Sequence, residues 1–290
     1  LDSAKHYCDL AYKATILSKD KKAISKTAHQ KGSFAKESYE YTKALVYFEK
    51  SLSIAKEINF SSIIASSYSG KALVNSKLGN FRESIKNHYK AIPIFEQIKD
   101  STNLAIVYLN LAIDLRKTKE IDECIKFNNK ALIIFNKKNQ LLNVATINNN
   151  LSGIYYESEK YYKAIESAEK AKNYFQENNY VRFVAFPLTN LAVSYDSLNQ
   201  TKKAKAHYLK AIELQTKYND PFALAFLNNA YSNFNYKLKN YSKSIEIGTK
   251  GLKLAKKLNA LELITSTSKT LAKSYNKIKN YKKSNEYLRL

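Results

Sequence analysis

Residues 141–180 read LLNVATINNNLSGIYYESEKYYKAIESAEKAKNYFQENNY, and the same plan recurs forty residues earlier and forty residues later. The second half of each unit opens on an aromatic residue in five of seven places, with Ile121 and Thr201 in the other two. The five aromatic landmarks are Tyr41, Phe81, Tyr161, Tyr241 and Tyr281. A fixed period of this size without insertions indicates a solenoid of stacked repeats.

Small residues recur at helical spacing within each unit. Three residues after the landmark position stand Ala4, Ala44, Ser84, Cys124, Ala164, Ala204, Ser244 and Ser284. The first half of the unit has its own column of Ala65, Ala105, Ala145, Ala185 and Ala225. Small side chains let two helices approach closely, so each unit is predicted to be a helical hairpin. Its helices should run about 16 to 18 residues, with short connections that make neighbours antiparallel.

We therefore expect an all-α fold of about fourteen antiparallel helices, stacked as one array over residues 1–290. Residues 1–20 are predicted to be a second helix without its partner, and residues 261–290 a partial repeat. The full repeats are expected at 21–60, 61–100, 101–140, 141–180, 181–220 and 221–260. With both ends cut within a repeat and no Met in the chain, the sequence is expected to be an excerpt of a longer protein.

Turn and helix-start signals refine this outline. Gly79 is expected to take a positive φ at a helix exit, and Asp220 followed by Pro221 indicates an N-cap and first helical residue. Pro93 and Pro187 fall inside predicted helices, where each should cause a kink. An alternative for the second is an irregular entry over 183–186 with the helix beginning at Pro187.

The net charge of +23 raises the question of nucleic-acid binding, because a basic face is the electrostatic footprint of phosphate recognition. The 48 basic residues comprise 44 lysines and only four arginines, and the lysines are spread through every repeat. Lysine lacks the planar fork favoured for base and phosphate recognition. A solvated surface is therefore the better interpretation, and nucleic acid is expected as a partner only through an attached domain.

No apolar run approaches the length of a membrane span, and the mean hydropathy is −0.45. The segment is thus expected to make no membrane contact. The four histidines lie in different repeats without metal-ligand spacing, and the glycines form no phosphate-cradling loop, so we predict no enzyme activity, no metal and no cofactor. Cys8 and Cys124 lie too far apart to form a disulfide, which favours a reducing, cytoplasmic compartment. A sensor region outside the cytoplasm stays open.

The residues also carry a family resemblance. NLAVSY at 190–195 in a first helix and YYKA at 161–164 opening a second helix resemble tetratricopeptide repeats. The period of 40 departs from the usual 34 of that family. It is similar to the long-helix members found in kinesin light chain, in Rap-type peptide receptors, and in the sensory regions of bacterial histidine kinases and AraC-type regulators. The resemblance implies a right-handed superhelix whose first helices line a concave groove for an extended peptide or another protein's helix.

Candidate binding residues follow from that groove. Asn110, Asn150 and Asn190 occupy one column of the first helices, and the long-helix relatives are similar in using such residues to hold a peptide backbone. We expect these side chains to be exposed without ligand. Because an amide offers both a donor and an acceptor, a ladder of them can pair with a peptide backbone of any sequence. Further candidates on the same face or the next turn are Asn149, Asn229, Asn233, Lys77, Arg116, Lys117, Tyr156 and Lys237. The lysine surplus favours an acidic peptide or a free carboxylate.

Two classes of function stay open at this point. The first is a peptide- or protein-binding module, the sensory or docking region of a larger bacterial signalling or transcription regulator. The second is a structural scaffold or oligomerisation array without a discrete ligand, and a homodimer is compatible with either. A repeat protein that reads RNA would need a recurring pair of base-reading residues in each unit, and apart from the Asn column the groove positions vary.

Overall fold

The computed structural model describes residues 2–218 and 220–289, without the side chains of residues 2–5 and 216. The small residue predicted at Ala4 therefore lies outside the described side chains. Within the described residues the chain forms fifteen α-helices, one short 3₁₀ helix and no strand. The all-α prediction of about fourteen antiparallel helices is confirmed.

The chain divides into two compact units, residues 1–140 and 141–290. The boundary falls between two of the predicted repeats. The helices of unit 1 are α1 (Asp2–Ser18), α2 (Lys21–Glu37), α3 (Tyr41–Glu57), α4 (Ser61–Lys77), α5 (Phe81–Gln97), α6 (Ser101–Lys117) and α7 (Ile121–Lys137).

Unit 2 continues the same pattern with one irregularity, a 3₁₀ helix over Val181–Phe183. Its helices are α8 (Leu141–Glu157), α9 (Tyr161–Glu177), α10 (Ala185–Ser197), α11 (Thr201–Tyr218), α12 (Pro221–Lys237), α13 (Tyr241–Lys257), α14 (Leu261–Lys277) and α15 (Tyr281–Leu288). We call the first helix of each repeat an A-helix and the second a B-helix.

The helix ends share one geometry. A residue with positive φ stands at every twentieth position from Lys19 to Lys279, position 219 lying outside the described residues. At the end of α2, Tyr39 has a φ of 61°, the amide of Glu40 donates to the carbonyl of Ala35 at 2.8 Å, and that of Tyr39 donates to Lys36 at 3.1 Å. This pair of bonds is the Schellman motif, which satisfies the last carbonyls of the helix.

Gly79 takes a φ of 79°, as predicted, and it is the only glycine among the described residues at these positions. The other caps are Asn, Lys, Tyr or Glu. An L-residue other than Gly or Asn pays roughly 1–2 kcal/mol for the left-handed conformation. At the Lys, Tyr and Glu positions the cap is therefore imposed by the packing of the helices on either side, not by the preference of the local residue.

The prolines separate into two cases. Pro221 begins α12 after Asp220, whose carboxylate accepts from the amides of Phe222 and Ala223, both at 3.0 Å, which confirms the predicted start. The kink predicted at Pro187 is wrong. Helix α10 begins at Ala185, so this proline lies in the first turn, where its missing N–H leaves no helical bond unmade. Pro93 lies inside α5 as expected.

The small columns are the contact points of packed helices. Ala44, Ser84, Cys124, Ala164 and Ala204 are all fully buried. A large residue at a helix contact needs a small residue on the facing helix. In unit 1 the buried ring of Phe48 packs against Gly70, and a Cβ added to Gly70 would lie 2.5 Å from that ring. Glycine is required there because any side chain would overlap the ring.

Buried polar groups accompany the small columns. In unit 1 the Asp114 carboxylate is fully buried and accepts hydrogen bonds from the hydroxyls of Ser76 and Ser84, both at 2.5 Å. The Nε2 of His88 lies 3.7 Å from the same carboxylate, and neither ring nitrogen of this buried histidine has a hydrogen-bond partner. Burial raises the pKa of Asp114 and lowers the pKa of His88 to about 4. At neutral pH the imidazole is therefore neutral.

Candidate binding surface on the A-helices

The A-helices form a continuous layer in each unit. In unit 1, α2 packs on α4 and α4 on α6; in unit 2, α8 packs on α10, α10 on α12, and α12 on α14. Within each unit, the described B-helices of successive repeats make at most marginal contact with one another. The layer of A-helices is thus the inner one in each unit, and its solvent-facing side chains are the candidates for binding.

The asparagine column is not uniform in exposure. Asn150 is exposed and Asn110 is half-buried, whereas Asn190 is only 8% exposed. The expectation that all three face solvent is wrong for Asn190. Its Nδ2 donates to the backbone carbonyl of Asn149 at 3.2 Å and to Oδ1 of the same residue at 3.3 Å. These bonds join α10 to α8, so Asn190 and Asn149 fasten neighbouring A-helices together.

Two other candidates in unit 2 join neighbouring A-helices in the same way. The Nδ2 of Asn229 on α12 donates to the hydroxyl of Ser266 on α14. Lys237 on α12 forms an ion pair with Asp196 on α10, with 2.6 Å between Nζ and Oδ2. Because the Lys237 side chain is 46% exposed, this pair contributes little to stability. It nevertheless occupies the ammonium group that was predicted to meet a ligand.

The remaining candidates lie on the A-helices at or near the solvent face. Asn233 on α12 is exposed, and Tyr156 on α8 is half-buried with its ring 5.8 Å from that of Tyr161. In unit 1 the exposed basic candidates are Lys77 on α4 and Arg116 and Lys117 on α6. A binding role for these residues stays a prediction.

The structure adds apolar side chains that the sequence did not single out. Phe186 on α10 lies between Phe222 and Phe226 of α12, with ring centroids 6.4 and 6.2 Å apart. Phe222 is 51% exposed, and the other two rings are half-buried. We call these three residues the phenylalanine triad. Its centroid spacings suit aromatic packing, yet one of its rings meets water over half of its surface.

A second apolar surface lies in unit 1. Ile106 and Ile113 of α6 are 42% and 52% exposed on the same helix face, two turns apart. A signal for both surfaces was present in the sequence. Ile106, Phe186 and Phe226 occupy one position of the repeat, where the other units carry Lys, Ser or Thr. Exposed apolar side chains that cluster, unlike single ones, indicate a surface that is not merely solvated.

The described residues contain neither a candidate metal-ion site nor a helix that could span a membrane. No group of three or more His, Cys, Asp and Glu is arranged there to hold a metal ion. Each helix over 2–218 and 220–289 is either too short or too polar to cross a bilayer. Cys8 and Cys124 are both thiols, and burial raises the pKa of the Cys8 thiol, which keeps it protonated at neutral pH.

Solved structures with the same fold span nearly the whole chain. The apo form of RapI has a TM-score of 0.78 at 17% identity, covering 91% of this chain and 95% of that one. The apo quorum sensor NprR from B. thuringiensis has a TM-score of 0.69 at 18% identity, covering 98% and 85%. The Rap conjugation gene regulator of the plasmid pLS20, in complex with the Phr* peptide, has a TM-score of 0.64 at 16% identity, covering 100% and 74%. These identities establish likeness of fold alone.

A search of the curated proteins gives no match for this sequence. A family model for the tetratricopeptide repeat matches residues 63–137 and 143–217, more than half of the chain. The period, the helical hairpins and the buried small columns agree with that match, and the resemblance predicted from the sequence is confirmed. The protein belongs to the tetratricopeptide repeat family.

Proposed function

We propose that the A-helix layer binds a peptide or a segment of another protein, and that the phenylalanine triad anchors it. The observation that carries this proposal is the triad itself, three contiguous rings on a solvent-facing helix layer. A surface that serves only solvation has no need of clustered aromatic residues, whereas binding sites are enriched in them. The solved complex of a Rap regulator with the Phr* peptide supports a peptide as the ligand class.

The character of the partner follows from charge. With 48 basic against 25 acidic residues, an acidic segment with apolar side chains complements the surface best. We place the module in the sensory or docking region of a larger bacterial signalling or transcription regulator, in the cytoplasm, acting by binding and not by catalysis. A scaffold or self-associating array is the second candidate, and the exposed triad is compatible with it if the partner is another copy of the chain.

The test begins with peptides selected from a displayed random library on the whole chain and measured by fluorescence anisotropy. Phe222→Ala, alone and combined with Phe226→Ala, should weaken the selected peptides by about tenfold or more, the loss expected of an interface hot spot. Tyr162→Ala is the matched control, because this ring is 74% exposed on the B-helix α9. Equal losses in the control, or unchanged binding in Phe222→Ala, would contradict the proposal.

Sedimentation of the ligand-free chain separates the two candidates. A concentration-dependent dimer that Phe222→Ala abolishes, together with a failure to select any peptide, favours the self-associating array.

A further inference from the structure

A cavity of about 200 Å³ opens on the A-helix layer of unit 1, between α2, α4 and α6. Sites that hold drug-sized ligands are larger, roughly 300–1,000 Å³. The cavity therefore fits a fragment, such as one side chain with its attached polar group. Its polar lining consists of His29, Ser33, Lys36, Ser66, Ser69 and Asn103.

The lining contains no aspartate or glutamate. The hydroxyls of Ser33, Ser66 and Ser69 can donate to a bound oxygen. Asn103 contributes less, because its Nδ2 already donates to Asp100 at 2.7 Å. The lining therefore carries one cation, no anion, and hydroxyls that can rotate to donate, which favours a ligand group that only accepts.

Lys36 supplies the positive charge. Its side chain is 23% exposed, and its Nζ lies 2.9 Å from a carboxylate oxygen of Glu37, which is itself 74% exposed. An ion pair with so exposed a partner is weak. A second carboxylate approaching from the cavity side can therefore share or replace Glu37 on the same ammonium group.

His29 is part of the cavity wall and lies against one of its aromatic rings. Its ring centroid lies 5.2 Å from that of Phe48, and its Nδ1 is buried without a hydrogen-bond partner. Burial, and secondarily the charge of Lys36, lower the pKa of His29 to about 4. The imidazole is therefore neutral in the empty protein, with one N–H to donate.

The apolar part of the cavity owes its shape to Gly70. This residue stands in the column of Asn110, Asn150 and Asn190, so α4 carries no side chain where those helices carry an amide. The rings of Phe48 and Phe95 are thereby left as the floor, with Leu73, Ile106 and Val107 alongside.

We infer that this cavity binds a carboxylate carried on a small branched apolar group. The apolar group would lie on the aromatic floor beside Ile106, and the carboxylate would accept from Lys36, the serine hydroxyls and the His29 N–H. Two sources offer this chemistry: the last residue of a peptide and a free branched aliphatic acid. The inference rests on the proposed function only in assigning ligand binding to the A-helix layer, and it concerns residues of unit 1 remote in sequence from the phenylalanine triad.

The experiment uses the whole chain and four probes, followed through the imidazole resonances of His29 in NMR spectra. The probes are N-acetyl-Ala-Ala-Leu and isocaproate, each compared with its amide. At least one acid should shift the His29 resonances in a saturable way, and amidation should weaken it by about tenfold, the effect of one charge-assisted hydrogen bond. The tighter acid identifies the source. His29→Gln assigns the resonances.

Lys36→Ala should weaken the acid by a similar factor, whereas Lys86→Ala, an exposed lysine on the B-helix α5, should leave it unchanged. Ser69→Leu fills the cavity and should abolish binding while circular dichroism stays that of the parent chain. The inference is overturned if neither acid shifts His29, if acids and amides bind alike, or if Lys86→Ala matches Lys36→Ala. If the inference is overturned in this way but Phe222→Ala still weakens the binding of the selected peptides, the proposed function stands.

Discussion

His88 should make unit 1 sensitive to acid. This imidazole is fully buried, and its pKa is lowered to about 4 by burial. In the unfolded chain the pKa is near the ordinary value of about 6.5. Between these two pH values the unfolded chain binds a proton that the folded chain does not bind, so the free energy of unfolding falls as the pH falls. Above about pH 6.5 both states are neutral and His88 adds no pH dependence.

The size of the stability loss follows from the difference between the pKa of His88 in the unfolded and in the folded chain. A lowering from 6.5 to about 4 corresponds to about 3 kcal/mol once both states are protonated. Between roughly pH 7 and pH 4.5 the loss is about 2 kcal/mol by the same relation. Asp114 acts in the opposite direction, because burial raises its pKa: stability is gained as the pH falls through that raised pKa. The two effects must therefore be measured separately.

His88→Asn isolates the histidine. The equivalent position of the next repeat is Asn128, whose Nδ2 donates to the carbonyl of Cys124 at 2.9 Å, so an asparagine is accommodated at this point of the fold. Urea unfolding followed by far-ultraviolet circular dichroism at several pH values gives the stability of both chains. Wild type should lose about 2 kcal/mol more than His88→Asn between neutral pH and pH 4.5. Since His29 is present in both chains, its own titration cancels.

Asp114→Asn, alone and combined with His88→Asn, measures the carboxylate in the same way. The reasoning fails if wild type and His88→Asn lose stability in parallel over this range. It also fails if the difference between them appears above about pH 6.5, where neither state titrates.

Two further predictions concern helix caps and the asparagine column. Lys239→Gly should stabilise the chain by up to about 1 kcal/mol in urea unfolding, because glycine adopts the positive φ of this cap without strain. Gly79→Ala should destabilise the chain by about as much. A change of stability in the same direction in both variants would refute this account of the caps. Asn150→Ala should change stability by less than about 0.5 kcal/mol because the side chain is exposed. Asn190→Ala should cost about 1 kcal/mol in lost hydrogen bonds. Leu151→Ala should cost about 2–5 kcal/mol in lost core packing. A melting temperature of Asn150→Ala as low as that of Leu151→Ala would remove Asn150 from the candidate binding residues.

Much of the fold could be predicted because its determinants are local or repeat at fixed spacing. The column that includes Ala44 and Ala164 indicates close helix contacts, and both residues are fully buried. Asp220 and Pro221 define a helix start by hydrogen bonding and a fixed φ, which depend on neighbouring residues alone. The positive φ at Gly79 belongs to the same class.

Other features depend on packing between distant residues. Tyr39 has no local preference for positive φ, yet α2 and α3 require a cap between them. Asp114 occupies a position where Val74 and Ile154 stand in other repeats, and only the structure shows that two serine hydroxyls receive its carboxylate. Asn190 has the same identity and register as Asn150, but its contact with Asn149 is not encoded in the repeat. The kink predicted at Pro187 was wrong because this repeat begins with a 3₁₀ helix, so that α10 starts later than the period of the repeat predicts.

The uniform caps also determine how the gene for such a chain can change length. Most of the helices have 17 residues and are followed by a three-residue connection, which returns the backbone to the same starting condition. A single inserted residue turns everything after it by about 100° around its helix axis, because an α-helix has 3.6 residues per turn, and carries the small column away from its neighbour. A duplication or loss of 40 residues instead joins a cap to a helix start of the same kind. We therefore expect recombination between repeats to be tolerated where point insertions are not, so that the number of repeats can vary while the geometry of each one is kept.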